Sequence, residues 1–284
     1  MRTVVTGATG NLGRHVVDGL LEKVPADQIV AVVRNRKKAA PLAAKGVALH
    51  IADYGKPRTL NGLFAAGDRV LLISGSEVDK DRVAQHTAVI EAAKAAGAGL
   101  LAYTSAPGGL TAALADDHHA TEKVVLESGL PYVLLRNNWY SENYTEQLAT
   151  VLEHGAVVAA AGEGRVASAT RADYAAAAVA VLTGEGYENT TFELSGDTAW
   201  GFAEYAAEIS RQSGRQIEYR PVTPEVYAGI LTGAGLPEGV AAILADVDVS
   251  IGKGQLADTS GELARLIGRP TTPVADSVAA ALKG

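Results

Sequence analysis

Arg2 to Val5 reads as a short buried strand, and it runs straight into Thr6-Gly7-Ala8-Thr9-Gly10-Asn11-Leu12-Gly13. A helical pattern follows, with Val16, Val17, Leu20, Leu21 and Val24 on one face. Ile29 to Val33 then forms a second apolar strand that ends on Arg34. Strand, glycine turn, helix and strand make a βαβ unit, and this ordering constrains the fold more than any other feature of the chain. In such a unit the glycines let the backbone approach a pyrophosphate with no Cβ in the way, and the first N–H groups of the helix point at the phosphate oxygens.

The spacing Gly7, Gly10, Gly13 is G-x-x-G-x-x-G, not the more familiar G-x-G-x-x-G. Glycines at such a junction also arise as plain loop and capping residues, so the context has to decide. About 20 residues on, an acidic side chain would grip a ribose 2′-hydroxyl. This chain has Arg34-Asn35-Arg36-Lys37-Lys38 there, with no acid. A guanidinium binds a 2′-phosphate through two parallel hydrogen bonds, whereas a carboxylate repels it. Cations are disfavoured at a helix start, so a merely solvated basic turn is the weaker reading. The expected cofactor is NADPH, ahead of NADH.

The 284 residues suit one large α/β domain with a smaller lobe. There is no cysteine, which removes disulfides, thiolate metal sites, iron–sulfur clusters and a thiol nucleophile together. A net charge of −7 argues against nucleic acid and anionic membranes as partners. No apolar run nears the roughly 18–20 residues needed to span a bilayer, and the chain opens on a strand. A cytoplasmic location is expected, with a small molecule as the partner and a homodimer left open.

Further strands are expected at Val47 to Ile51, Arg69 to Ile73, Leu100 to Tyr103 and Tyr132 to Leu135, and a helix over Lys37 to Lys45. Another helix is expected to carry Leu60, Leu63 and Phe64. The almost wholly apolar Arg69–Ile73 run needs both faces covered, as in a parallel sheet. The fold class is therefore α/β: a doubly wound, mostly parallel sheet of the Rossmann type, with a smaller α+β C-terminal substrate lobe. Ligands bind beyond the carboxyl ends of the strands in such a sheet. Ser74, Gly75, Thr104, Ser105 and the loop from Asn137 to Asn143 are the residues so placed. Asp53, just past the third strand, either meets an adenine or caps the next helix. Residues 1–137 are assigned to the dinucleotide-binding domain, with 155–196 returning to it, and 138–154 and 197–284 to the substrate side. In the second half a helix is expected around Thr145 to His154, then a hairpin through Gly162-Glu163-Gly164. An Ala-rich helix capped by Asp173 and a strand over Thr191 to Leu194 follow.

The segments Val4–Gly10, Ile29–Asn35, Leu71–Ser74, Leu134–Tyr144 and Ala167–Tyr174 together resemble the NmrA-like branch of the atypical short-chain dehydrogenase/reductases. The resemblance covers essentially the whole chain. It is nearest to the bacterial NAD(P)H:quinone oxidoreductases of the quinone oxidoreductase 2 type, with triphenylmethane reductases further off. Trp139-Tyr140-Ser141-Glu142-Asn143 is its most specific stretch. The resemblance implies that Gly7, Thr9, Gly10, Asn11 and Leu12 hold the pyrophosphate and that Arg34 and Lys38 hold the 2′-phosphate. It also implies that Ser74, Gly75 and Ser76, with Asn138 to Asn143, frame the nicotinamide end.

One departure bears on mechanism. Most short-chain dehydrogenases protonate a carbonyl oxygen from the tyrosine of a Tyr-x-x-x-Lys pair; here Lys123 fits the lysine, but His119 stands in the tyrosine place. A quinone needs no such acid, because its ring accepts hydride readily and the oxygen takes its proton from water. Two-electron reduction of quinones to hydroquinones is thus the expected reaction, with most of the catalysis lying in positioning. Tyr140 and Asn143 are the candidates to orient the acceptor, Trp139 to wall it, and Lys123 to touch the nicotinamide ribose. Packing or surface roles are the alternatives for each. No flavin motif is apparent, which favours direct hydride transfer. His118 and His119 follow Asp116 and Asp117, but adjacent helical side chains point about 100° apart, and no third ligand is spaced to join them. No metal site is expected, and a solvent-facing helix start is the plainer reading of that pair. Two other functions stay open. One is a non-catalytic NADP(H) sensor; the other is a reductase of another electron-poor acceptor, such as an azo or triphenylmethane dye, a carbonyl or an imine.

Overall fold

The computed structural model describes residues 2–75 and 81–283. Along its first half run β1 (Thr3–Val5), α1 (Asn11–Leu21), β2 (Ile29–Val33), α2 (Ala40–Ala44) and β3 (Ala48–Ile51). They are followed by β4 (Arg69–Leu72), α3 (Arg82–Ala95), β5 (Leu100–Ser105), α4 (Ala113–Glu127) and β6 (Tyr132–Asn137). Next come α5 (Glu142–Thr145), α6 (Leu148–His154), β7 (Ala156–Ala159), β8 (Arg165–Val166), α7 (Arg171–Thr183) and β9 (Thr190–Leu194). The last stretch holds β10 (Trp200–Gly201), α8 (Phe202–Ser213), β11 (Glu218–Pro221), α9 (Pro224–Gly233), α10 (Glu238–Gly252), α11 (Glu262–Ile267) and α12 (Val274–Leu282).

One seven-stranded sheet is ordered β3-β2-β1-β4-β5-β6-β9, and its strand pairs from β3 to β6 are parallel. The β9 edge runs the same way, with the Asn189 N–H donating to the Tyr132 carbonyl and the Asn138 N–H to that of Leu194. The chain walks outward from β1 through β2 to β3, then returns to add β4 on the other side. The order therefore reverses between β1 and β4, where such sheets bind ligands. The doubly wound class is the observed one.

The chain forms two compact units. The first comprises 1–106, 117–137 and 171–192; the second comprises 107–116, 138–170 and 193–284. In the first, Val4, Val30, Val32, Leu72, Ile90 and Tyr103 belong to one buried cluster. On the Ala-rich α7, Ala175, Ala177 and Ala178 are buried. A Cβ on Gly19 of α1 would stand 3.0 Å from Val179. Small residues let these two helices approach closely. Arg69, buried at the start of β4, donates to the carbonyls of Val181 and Gly184 at the end of α7, each at 2.8 Å.

In the second unit β7 pairs in parallel with β11, and β8 pairs antiparallel with β10. Its interior is aromatic: Tyr144 meets Trp200 edge-on with ring centroids 4.9 Å apart, and Phe202 stacks on Tyr219 at 5.7 Å.

Several local expectations are corrected. The residues around Gly162 do not close a hairpin, because β7 and β8 each find a partner far along the chain. For the same reason 155–170 lies in the second unit, and 171–192 in the first. The helix expected around Leu60, Leu63 and Phe64 is a single 3-10 turn, Pro57–Leu60, since Gly62 adopts φ +70 and breaks it. The helix expected over Lys37 to Lys45 shrinks to α2, because the Asn35 side chain accepts the N–H groups of Lys37 and Lys38 and holds them in a turn. Asp173 is buried as the third residue of α7.

The strand ends at the reversal are tied by polar side chains. The buried Thr6 hydroxyl donates to the Leu71 carbonyl and accepts the Ile73 N–H, both at 3.0 Å, joining the ends of β1 and β4. The His86 Nε2 accepts the Gly75 N–H at 2.9 Å while its Nδ1 lies 3.0 Å from the Thr121 hydroxyl, which itself donates to the Asp117 carbonyl. That pattern requires the Nδ1–H tautomer.

A Cβ at Gly13 would fall 2.3 Å from the Gly7 carbonyl oxygen, backbone that cannot step aside. Gly13→Ala is expected to cost about 1–3 kcal/mol, read as a lower denaturant midpoint at unchanged slope. Burial, helped by Arg82, pushes the His86 imidazole down to about 4 from its ordinary 6.5. The unfolded chain then takes up that proton first. Its contribution to stability is complete above pH 6.5 and is lost as pH falls toward about 4, by about 1.4 kcal/mol per unit. Denaturant midpoints across this range should fall less steeply in His86→Gln than in the native chain.

Candidate functional site

Each unit holds one candidate feature: the first a glycine turn at the strand-order reversal, the second a cavity. In the first unit Gly7 takes φ +61, a conformation open to glycine at little cost, and its carbonyl accepts the Gly10 N–H at 2.9 Å. Gly7, Gly10 and Asn11 are exposed, Thr9 is half-buried, and Leu12 anchors the turn in the core. The start of α1 has no side-chain cap. Its leading N–H groups therefore present partial positive charge to solvent, which is what a phosphate requires. Close packing behind the turn and open backbone in front of it fit a dinucleotide pyrophosphate.

Arg34 and Lys38 are both exposed just beyond the end of β2. The turn that Asn35 closes around Lys37 and Lys38 keeps this cationic stretch out of a regular helix. The Asp53 carboxylate accepts the Gly55 N–H at 3.0 Å and lies 3.8 Å from the Lys56 ammonium. It organises its own turn and does not cap the following 3-10 turn, whose N-cap is Lys56.

At the end of β4 the Ser74 N–H donates to the Thr104 hydroxyl at 2.9 Å, and the Ser74 hydroxyl is buried with no partner among the described residues. Thr104 thus holds the adjoining strand end through its side chain. Ser76 lies outside the described residues.

Lys123 is exposed on α4. The histidines expected to mark a solvent-facing helix start sit a turn or more inside α4, which already begins at Ala113. His118 turns toward the sheet, with its Nδ1 3.0 Å from the Tyr103 hydroxyl. Burial, with Arg82, His86 and His119 nearby, pushes its imidazole down to about 3. Burial likewise pushes the Tyr103 phenol up to about 12. Both stay neutral at physiological pH. Among the described residues no three acidic or histidine side chains converge on a metal position.

In the second unit the stretch 138–143 is locked to a second segment. Tyr140 bridges Ala169 in parallel, the Ser141 N–H donates to the Ala169 carbonyl at 2.9 Å, and the Ala169 N–H to that of Trp139 at 3.2 Å. Two side chains of the expected site turn inward. Asn138 donates to the Leu256 carbonyl and accepts the Trp139 N–H, while Ser141 is fully buried with its hydroxyl 2.9 Å from that of Ser168. Trp200 Nε1 donates to the same Ser168 hydroxyl. Trp139, Tyr140, Glu142 and Asn143 remain half-buried.

Trp139 and Asn143 line a cavity of this unit, together with Tyr144, Phe202, Tyr205, Tyr227 and Asp248. Tyr140 does not line it. Burial pushes all three phenols well above their ordinary range. The Tyr144 and Tyr205 hydroxyls are buried with no hydrogen-bond partner among the described residues. Tyr205, Tyr227 and Asp248 were not singled out by sequence reasoning. The signal for Asp248 was an acid between two valines, Val247 and Val249, on a mostly apolar helix; for the tyrosines there was none.

A family model described as NAD(P)H-binding matches residues 7–185. Quinone oxidoreductase 2 of Escherichia coli K12 is 50% identical over 276 residues, covering 96% of each chain. The crystal structure of the E. coli NADPH-dependent quinone oxidoreductase complexed with NADPH superposes with a TM-score of 0.95 at 48% identity, covering 99% of both chains. Citrobacter sp. triphenylmethane reductase complexed with NADP(H) gives 0.93 at 41% identity, covering 98% of this chain and 99% of that one. No helix among the described residues is long and apolar enough to cross a membrane. With its uncapped glycine turn at the strand-order reversal and this similarity along nearly its whole length, the chain belongs to the NAD(P)H-binding family.

Proposed function

We propose that the protein is an NADPH-dependent reductase that transfers hydride to quinones, giving hydroquinones. The observation that carries this reading is the 50% identity to quinone oxidoreductase 2 across 96% of both chains. The bound nicotinamide would supply the hydride, and the second hydrogen comes from solvent as a proton, so one quinone, one NADPH and one proton yield one hydroquinone and one NADP⁺. The chain's own work is to bind and orient. The backbone from Gly7 to Leu12 holds the pyrophosphate, with Thr9, Gly10 and Asn11 on the open side of the turn. Arg34 and Lys38 take the 2′-phosphate. Ser74, Gly75 and Thr104, on strand ends tied down by His86 and by one another, are assigned to the nicotinamide end; the 138–143 stretch of the second unit is assigned the same role on the strength of the family resemblance.

In that stretch Asn138 and Ser141 act through their internal hydrogen bonds, setting the course of the backbone. Trp139 and Asn143 face the cavity and would wall and orient the acceptor, with Tyr140 on the cofactor side. Lys123, exposed on α4, is assigned to the nicotinamide ribose. No acid from the Tyr-x-x-x-Lys pattern is needed, because the quinone oxygen spreads the incoming charge over its ring. The cavity, walled by aromatic side chains, favours a catalyst over a non-catalytic sensor of NADP(H). The net charge of −7 supports a cytoplasmic enzyme without nucleic-acid partners, acting alone or as a homodimer.

Purified protein is expected to consume NADPH in the presence of a small benzoquinone, followed by the loss of nicotinamide absorbance. Protein that binds NADPH but shows no turnover above the chemical background would reject the enzyme. Arg34→Ala is expected to weaken NADPH by about tenfold to a hundredfold, as loss of a charged hydrogen-bonding partner costs about 1.5–3 kcal/mol. NADH affinity should be unchanged; titration of nicotinamide fluorescence with each nucleotide checks this, and equal losses for both would contradict the 2′-phosphate assignment.

A further inference from the structure

The second-unit cavity carries one ionisable group that the proposed reaction does not use. Asp248, on α10, is 5% exposed and lines the cavity; its Oδ2 accepts the Ala160 N–H at 2.7 Å. Among the described residues the cavity lining contains no lysine, arginine or histidine. Among the described residues, the phenols of Tyr144 on α5, Tyr219 on β11 and Tyr227 on α9 feel the Asp248 charge, and Tyr205 on α8 shares the cavity lining. Its charge helps to hold Tyr144, Tyr219 and Tyr227 in the neutral form. The carboxylate therefore sits among aromatic rings, held by the Ala160 N–H, with no opposing cation in the cavity lining among the described residues. A ligand entering the cavity meets flat apolar walls in Trp139, Tyr144 and Phe202, and an uncompensated negative charge at one side.

We propose that this cavity is the acceptor pocket and that Asp248 is its specificity-determining residue, admitting neutral or cationic aromatic acceptors and excluding anionic ones. The inference rests on the reductase reading but adds to it a rule of selection by charge. In a partly buried setting, repulsion between two like charges several ångströms apart amounts to about tenfold to a hundredfold in affinity. An aromatic cation gains from both the carboxylate and the ring faces. The group is also tunable. Burial pushes the Asp248 carboxyl up to about 6 from its ordinary 3.8, opposed by the Ala160 N–H. The negative charge, and with it the exclusion of anions, is present above that value and fades as pH falls through it.

The test compares a neutral naphthoquinone with its sulfonate, as acceptors for the NADPH-loaded protein, between about pH 5 and pH 8. The readout is the ratio of kcat/KM for the two. In the native chain the sulfonate is expected to lag by about tenfold or more at the alkaline end and to recover on acidification. Asp248→Asn keeps an oxygen for the Ala160 N–H and should show a small, pH-independent ratio. The native pH series stands by itself if that variant fails to fold. A ratio that is flat in the native chain, or the same in both proteins, overturns the proposal. If the native protein binds NADPH but reduces neither quinone, the reductase reading falls. The pocket is then judged by quenching of tryptophan fluorescence, to which Trp139 in its wall contributes, with the same two quinones and the same pH criterion.

Discussion

The structure depends on a steric constraint at the first turn. The Cα of Gly13 lies so near the Gly7 carbonyl and the Ala8 backbone that no methyl group fits between them. That contact sets the angle at which α1 leaves β1, and it leaves the uncapped end of the helix open to solvent where the strand order reverses. Phosphate binding is then a consequence of backbone geometry, with no charged side chain committed to it. Charge enters one strand further on, at the exposed Arg34 and Lys38, to which the proposed function assigns the choice between two forms of the same nucleotide.

The two units are held by different interactions. In the first, aliphatic strands are covered by helices of small residues, and the polar atoms at the strand ends satisfy one another through Thr6, Thr104 and His86. Neutral histidines and tyrosines make that edge rigid without adding charge beside a nucleotide. The second unit gathers both tryptophans and several tyrosines of a chain that is only 5% aromatic. Flat side chains with few rotatable bonds wall a cavity suited to a flat ligand at small entropic cost.

The departure at His119 acquires a physical setting in the helix. Its neighbour His118 is drawn inward to the Tyr103 hydroxyl, and both groups stay neutral.

The sequence by itself determined the parallel sheet, the glycine turn and the preference for a phosphorylated nucleotide. These rest on local patterns: apolar runs, residues without a Cβ, and cations one strand on. It also pointed to 138–143, but could not divide that stretch into Asn138 and Ser141, which hydrogen-bond inward, and Trp139 and Asn143, which line the cavity. That division arises from pairing with Ala169 and Ser168, some thirty residues away. The false hairpin at Gly162 has the same origin, since β7 finds its partner in β11 and β8 in β10. Only the tertiary structure could bring Asp248 from the last third of the chain to the side of Tyr144 and Tyr227. Periodicity along a chain reports what a segment can become, whereas a buried charge without a counter-ion is a property of the groups packed around it.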